Sequence, residues 1–265
     1  MELALIILLY LVVGAIAGVC AGLFGVGGGL IVVPALAYVF NYLEITSASI
    51  MQLAVGTSLA VIIVTSISSV LAHHKHGAVQ WTLFLKMAPF IVVGSLLGAY
   101  VAARVPSDSL KLIFGVVEML IALQMYFEFR PEASRVLPGT VGLGTVSSSI
   151  GFISAVVGIG GGTMMVPFLT WCNVNIHKAV ATSAACGMPI AIAGSLGFVL
   201  LVPTAADLPQ GSIGFVYWPA LLGIAFASML AAPAGARLAH RLSTHKLRRI
   251  FALFLFFIGL LMLLS

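Results

Sequence analysis

The chain is poor in charge. Of its 265 residues only 7% are Asp, Glu, Lys or Arg, while 62% are hydrophobic. A soluble domain carries about 25% charged residues. This chain cannot cover itself with polar surface, so it belongs in a bilayer. It also lacks any stretch long and polar enough to fold as a soluble domain, which excludes a built-in ATPase or receptor module. Cysteine is scarce. Cys20, Cys172 and Cys186 are scattered in apolar context, with neither metal spacing nor a disulfide framework. No basic segment precedes the first apolar run and no A-x-A cleavage site follows it, so that run reads as a retained span. No Ser-His-Asp or Cys-His arrangement can be assembled, and no paired carboxylates lie at membrane depth. Bond-making chemistry has no support, and no metal or cofactor is expected.

What is present is long apolar runs. Five lie near 2–23, 29–43, 47–71, 80–103 and 111–129, and five more near 138–157, 163–174, 178–202, 213–239 and 247–264. Most reach the ~20 residues that a transmembrane helix needs. The expected fold is an all-α polytopic membrane protein. The net charge of +5 does not signal nucleic acid, because basic residues gather at span ends. If all ten segments cross, one side collects ten of the twelve basic residues and the other only Arg104 and Lys111. If the second segment of each half is instead re-entrant, the division is 8 against 4. Ten crossings are the preferred arrangement. The positive-inside rule then puts both termini outside the cytoplasm.

The chain repeats itself. Gly18 to Leu36 aligns with Gly151 to Leu169 at an offset of 133, sharing the core G-[VI]-G-G-G-x-x-x-V-P. Val55 to Ser58 (VGTS) aligns with Val180 to Ser183 (VATS) at offset 125, and Gly98 to Phe114 with Gly235 to Phe251 at offset 137. Trp81 and Trp218 pair at that last offset as well. The organisation is a repeat over 1–130, a cytoplasmic linker over 131–137 and a second repeat over 138–265. Five crossings per repeat is an odd number, so the two halves face opposite ways. Inverted repeats of this kind are a hallmark of secondary transporters.

The glycine runs open the short second segment of each half. They are not nucleotide loops: no Lys follows as in a P-loop, and the G-x-G-x-x-G spacing fails at Leu30 and Thr163. They read instead as helix breaks, since three successive glycines carry high backbone freedom. Unpaired backbone amides are tolerated in a bilayer only where they line a cavity or bind something. At a helix N-terminus those amides carry partial positive charge and suit an anion. Gly27, Gly28 and Gly29, with Gly160, Gly161, Gly162 and the capping candidate Thr163, are therefore substrate-binding candidates. The competing interpretation is close helix packing, which the G-x-x-x-G steps of Gly14, Gly18 and Gly22, and of Gly94 and Gly98, also suggest.

Hydroxyl pairs repeat as well. Thr57 and Ser58 match Thr182 and Ser183, and each can donate to an oxyanion without the desolvation cost of a charge. Hydrogen bonding between helices is their alternative role. Gln52 precedes the first pair at the spacing by which His177 precedes the second, and is a pathway candidate. Lys178 either attracts anions at the cytoplasmic mouth or simply follows the positive-inside rule. Glu118 is the one acid well inside a predicted span, and such acids serve as proton relays or polar contacts. Glu118 and Lys178 are the coupling candidates. The cluster His73 to His76 reads as a solvated basic turn. Exposed small-residue faces suggest a homodimer.

GLFGVGGGLIVVPAL, its echo AVVGIGGGTMMVPFL and the following HKAVATSAA resemble the signature of the TauE/SafE family, sulfite exporter-like membrane proteins. The LKLIFGVV and LRRIFALF blocks are similar to that family's span ends. The resemblance covers essentially the whole chain. It implies a bacterial inner-membrane transporter of small sulfur-containing anions such as sulfite or organosulfonates, with Gly25 to Gly29 and Gly158 to Gly162 as its paired motifs. The expected partners are a small anion and the lipid bilayer. The rival functions are an anion channel of the same architecture and a non-transporting membrane assembly subunit.

Overall fold

The computed structural model describes residues 2–24, 28–43, 45, 48–75, 77–127, 136–202, 208–239 and 244–264. Among them are ten helices: α1 (Glu2–Phe24), α2 (Gly29–Tyr42), α3 (Ile50–Lys75), α4 (Trp81–Ala102), α5 (Ser107–Tyr126), α6 (Thr140–Val157), α7 (Gly162–Trp171), α8 (Ile176–Leu200), α9 (Trp218–Ala239) and α10 (Thr244–Leu264). Seven of them, α1, α3, α4, α5, α6, α8 and α9, are long and apolar enough to cross a membrane. Most of the polar stretch that joins the halves lies outside the described residues.

Two expectations need correction. α2 has 14 residues and α7 only 10, so they rise about 21 and 15 Å against a hydrocarbon core of about 30 Å. Neither is a full-length crossing helix. The segment expected to be helical from 213 begins instead as a two-stranded antiparallel ribbon, β1 (Ser212–Ile213) with β2 (Val216–Tyr217), and turns at Gly214 with φ 58. The ribbon is fixed by the buried Phe215, whose amide donates to the carbonyl of Phe198 at 2.8 Å.

Helices of one half pack mainly on helices of the other: α1 on α9, α4 on α6, α5 on α10, and α3 on α8. These contacts obey the sequence repeat. Gly18 packs on the backbone of Ser228 and Gly151 on that of Ile91; adding 133 to 18 gives 151, and 137 to 91 gives 228. Gly98 packs on Phe152 and Gly235 on Val19, again an exchanged pair. The nearest atom to each of these glycines is a backbone carbonyl oxygen, so the paired helices approach more closely than any other residue would allow. Of the glycine steps expected to pack, Gly14, Gly18, Gly94 and Gly98 all do so.

α3 and α8, the most enclosed of the spans, form the centre. They run antiparallel, with Leu59 beside Gly194 and Gly56 beside Phe198. α2 starts with Gly29 beside Ile62, halfway along α3, and ends around Ala37 to Asn41 near Ile50 and Met51. α7 starts with Gly161 beside Ile190, halfway along α8, and leads back to its start. Each short helix thus covers one half of the long helix after it. Because α3 and α8 oppose each other, α2 and α7 point in opposite directions.

Candidate functional site

The two breaks meet. A side chain on Gly29 would collide with the carbonyl of Gly158 and approach the Cα of Ile159; one on Gly158 would meet Val33 and the Cα of Val55. The start of α2 therefore lies against the break of the other half, level with the middle of α3. The backbone follows from the glycines. Gly28 (φ 76) and Gly161 (φ 71) are the N-caps of α2 and α7, both left-handed and both without a side-chain cap. Gly158 (φ 78) closes α6, where its own amide and that of Ile159 donate to the Ser154 carbonyl at 2.9 and 3.0 Å. Left-handed backbone at these points suits glycine and costs any other residue roughly 1–2 kcal/mol. With no side-chain cap, the first amides of each short helix have no partner supplied by the helix itself. Pro34 and Pro167 lie inside the helices. Each removes the amide that would bond the carbonyl four residues earlier, Leu30 or Thr163.

The hydroxyls divide into occupied and unoccupied groups. Ser58 Oγ donates to the Gly158 carbonyl at 2.9 Å and ties α3 to the opposite break. Thr57 Oγ1 accepts from the Tyr217 amide at 2.9 Å, and Thr182 Oγ1 from the Gln80 amide at 3.0 Å. These two bonds are repeat mates, since 57 + 125 is 182 and 80 + 137 is 217. They join the halves on either side of the crossing. In this conformation Thr57, Ser58 and Thr182 are structural links. Ser183 Oγ and Thr163 Oγ1 are buried and have no hydrogen-bond partner. Ser154 Oγ has none either; it lies about 3.4 Å from where a methyl on Gly161 would sit. Ser154 was not legible as a candidate, because its repeat mate is Ala21 and a serine in an apolar helix looks like packing.

The other candidates fall as follows. Gly27 lies outside the described residues. Gly160 presents its carbonyl to Gly187 of α8, and Gly162 begins α7 and is buried. Gln52 is away from the crossing, near the start of α3, where its Nε2 donates to the Val105 carbonyl at 2.6 Å. Its Oε1 is buried without a partner. Lys178 is exposed in the first turn of α8, about 18 Å along the helix from Ile190. Glu118 is buried on α5, a helix that carries no break.

The geometry is that of a half-helix, α2, whose amino end abuts the break between α6 and α7 inside a bundle of long apolar helices. Residues 10–262 match the family described as Sulfite exporter TauE/SafE. The chain is 36% identical over 264 residues to a probable membrane transporter protein of Haemophilus influenzae, covering 98% of each chain. It is 30% identical over 270 residues to one of Methanocaldococcus jannaschii, covering 99% of this chain and 97% of that one. A further relative, the probable membrane transporter protein YunE of Bacillus subtilis, is 27% identical with 94% of each chain covered. No solved structure matches the chain significantly. An integral membrane protein with this doubled glycine signature and a family match from near one end to near the other belongs to the TauE/SafE sulfite exporter family.

Proposed function

We propose that this membrane transporter is a secondary carrier that exports small sulfur-containing anions such as sulfite or organosulfonates, binding them where the two breaks meet. The observation that carries the reading is the contact of Gly29 with Gly158. It brings the amino end of α2 to the other break, halfway up the long central helices. Amides and partial positive charge at such ends favour an anion. The unpartnered hydroxyls of Ser154 and Thr163 are the donors that an oxyanion at the crossing would recruit. Ser58 joins them when its bond to the Gly158 carbonyl opens, while Thr57, Thr182 and Ser183 serve the path to either side.

The close backbone contact favours a carrier over an open channel, since an ion between the breaks requires them to separate. Antiparallel α3 and α8, and α2 and α7 pointing opposite ways, support repeats inverted across a bilayer. Lys75, Lys86 and Lys178 lie toward one end of the bundle, because Gln80 bonds Thr182 there. Arg104 and Lys111 lie toward the other, where Ser107 bonds Met51. With the richer end cytoplasmic, both termini face away from the cytoplasm, as they would in a bacterial inner membrane. An anion leaving a cell that is negative inside gains about 2.3 kcal/mol per charge per 100 mV, so export needs no bond-making step.

Binding tests the reading. Purified protein is titrated with sulfite, thiosulfate, a short sulfonate and a carboxylate, following its melting temperature. Sulfite or the sulfonate is expected to raise it, by about 2.7 kcal/mol of stabilisation at a hundredfold excess over Kd. A response to the carboxylate alone, or to none of the four, would reject the proposed substrate class.

A further inference from the structure

Glu118 stands in the middle of α5, eleven residues after Ser107 and eight before Tyr126. Its side chain is 0% exposed, and neither carboxyl oxygen has a hydrogen-bond partner. Of the other six acids, Glu2 opens α1 and Asp108 sits in the first turn of α5, while Glu44, Glu128, Glu132 and Asp207 fall outside the described residues. Among the described residues, no element packed on α5 supplies a counter-charge at this height. α6 has no titratable side chain. α3 has only His73, His74 and Lys75, in its last turn. The charged residues of α10 end at Arg249, whose guanidinium lies over the Tyr126 ring, about two turns of α5 beyond Glu118. Near the other end of α5, Asp108 and Lys111 line a cavity with Tyr38 of α2, a helix whose only titratable side chains are the phenols Tyr38 and Tyr42.

A carboxylate sealed in such a place would be uncompensated, and a buried lone charge is very costly, whereas a neutral carboxylic acid is tolerated. Nothing about the repeat demands an acid here, since the mate of Glu118 is the buried Leu255. We propose that Glu118 is a proton-binding site of the transport cycle. It holds one proton while α5 is packed as described and releases it to one aqueous side when the halves rearrange. The only bond made or broken is the carboxyl O–H, and the proton comes from and returns to water. The inference rests on the transporter reading and adds the coupling ion to it: anion flux then responds to a pH gradient as well as to voltage.

Two measurements on the full chain in lipid test this. Infrared spectroscopy at neutral pH is expected to show the C=O stretch of one protonated carboxylic acid in the wild type and none in Glu118→Gln. Its absence from the wild type, or its persistence in the variant, overturns the site. In proteoliposomes with sulfite as probe, Glu118→Gln is expected to lose the pH-gradient response by about tenfold or more while keeping sulfite–sulfite exchange within about twofold. An unchanged gradient response overturns the coupling. If Glu118→Gln does not accumulate, Glu118→Asp serves: it should keep a displaced C=O band, and an unmoved band overturns the site. If the wild type moves no sulfite, the transport reading fails for that anion, while the infrared band still decides whether Glu118 holds a proton.

Discussion

Gly28→Val and Gly161→Val are each expected to cut transport about a hundredfold or more, as loss of one preorganised donor to an oxyanion does, while folded protein stays in the membrane. Both positions are left-handed N-caps, with φ 76 and 71. A β-branched residue is a genuine outlier in that region, so the backbone is driven out of it and the first amides of the short helix turn away from the crossing. The cost to the fold stays local, at roughly 1–3 kcal/mol. Around Gly28 the nearest atom to an added methyl is the Ala17 carbonyl oxygen, at 3.2 Å. At Gly161 the obstacle is the tip of Ile190, which can swing. Flux in proteoliposomes, read beside helix content and membrane yield, separates the two effects. Normal flux in both variants would show that the caps do not form the site. Loss of folded protein in both would assign them to packing.

The packing glycines should behave in the opposite way. Gly94→Val and Gly235→Val are expected to abolish folded protein altogether. A Cβ on Gly94 would collide with the Ser148 carbonyl, and one on Gly235 with the Val19 carbonyl. These obstacles are helix backbone and cannot swing aside. Overpacking of well-packed interiors typically costs 1–3 kcal/mol and more where nothing yields. Here whole helices, α4 from α6 and α9 from α1, would have to separate. Against a total stability of roughly 5–15 kcal/mol that is a large loss. Gly139→Ala is the control: nothing lies within 4 Å of the added methyl, so its effect should stay within about 0.5 kcal/mol. Membrane yield and thermal melting in detergent read all three. Wild-type melting in Gly94→Val and Gly235→Val would contradict the packing described for α4 on α6 and α1 on α9.

Much of this was legible in the sequence. Apolar runs located all ten helices, and the doubled glycine motif located both breaks, because left-handed backbone at a helix start calls for glycine. The repeat offsets also paired Thr57 with Thr182. What those hydroxyls bond was not legible. Their partners, the amides of Tyr217 and Gln80, are 160 and 102 residues away, and such a contact exists only once the halves interlock. Nor was the true reach of α2 and α7. An apolar run of 29–43 looks long enough to approach a span, and only the packing of Gly29 at mid-height on α3 shows how little it covers. The ribbon before α9 was missed for a related reason: strands of two residues have too little periodicity to separate them from the apolar run they introduce.

The most direct measurement is the flux of labelled sulfite or a short sulfonate in liposomes holding only this protein, with the voltage clamped by potassium and valinomycin. Flux should saturate with substrate, speed up when the compartment losing the anion is made negative, and be blocked in Gly161→Val. Flux that never saturates and arrives as single-channel currents would contradict a carrier. No flux of either anion, from protein that is folded and inserted, would contradict the transport of sulfur anions itself.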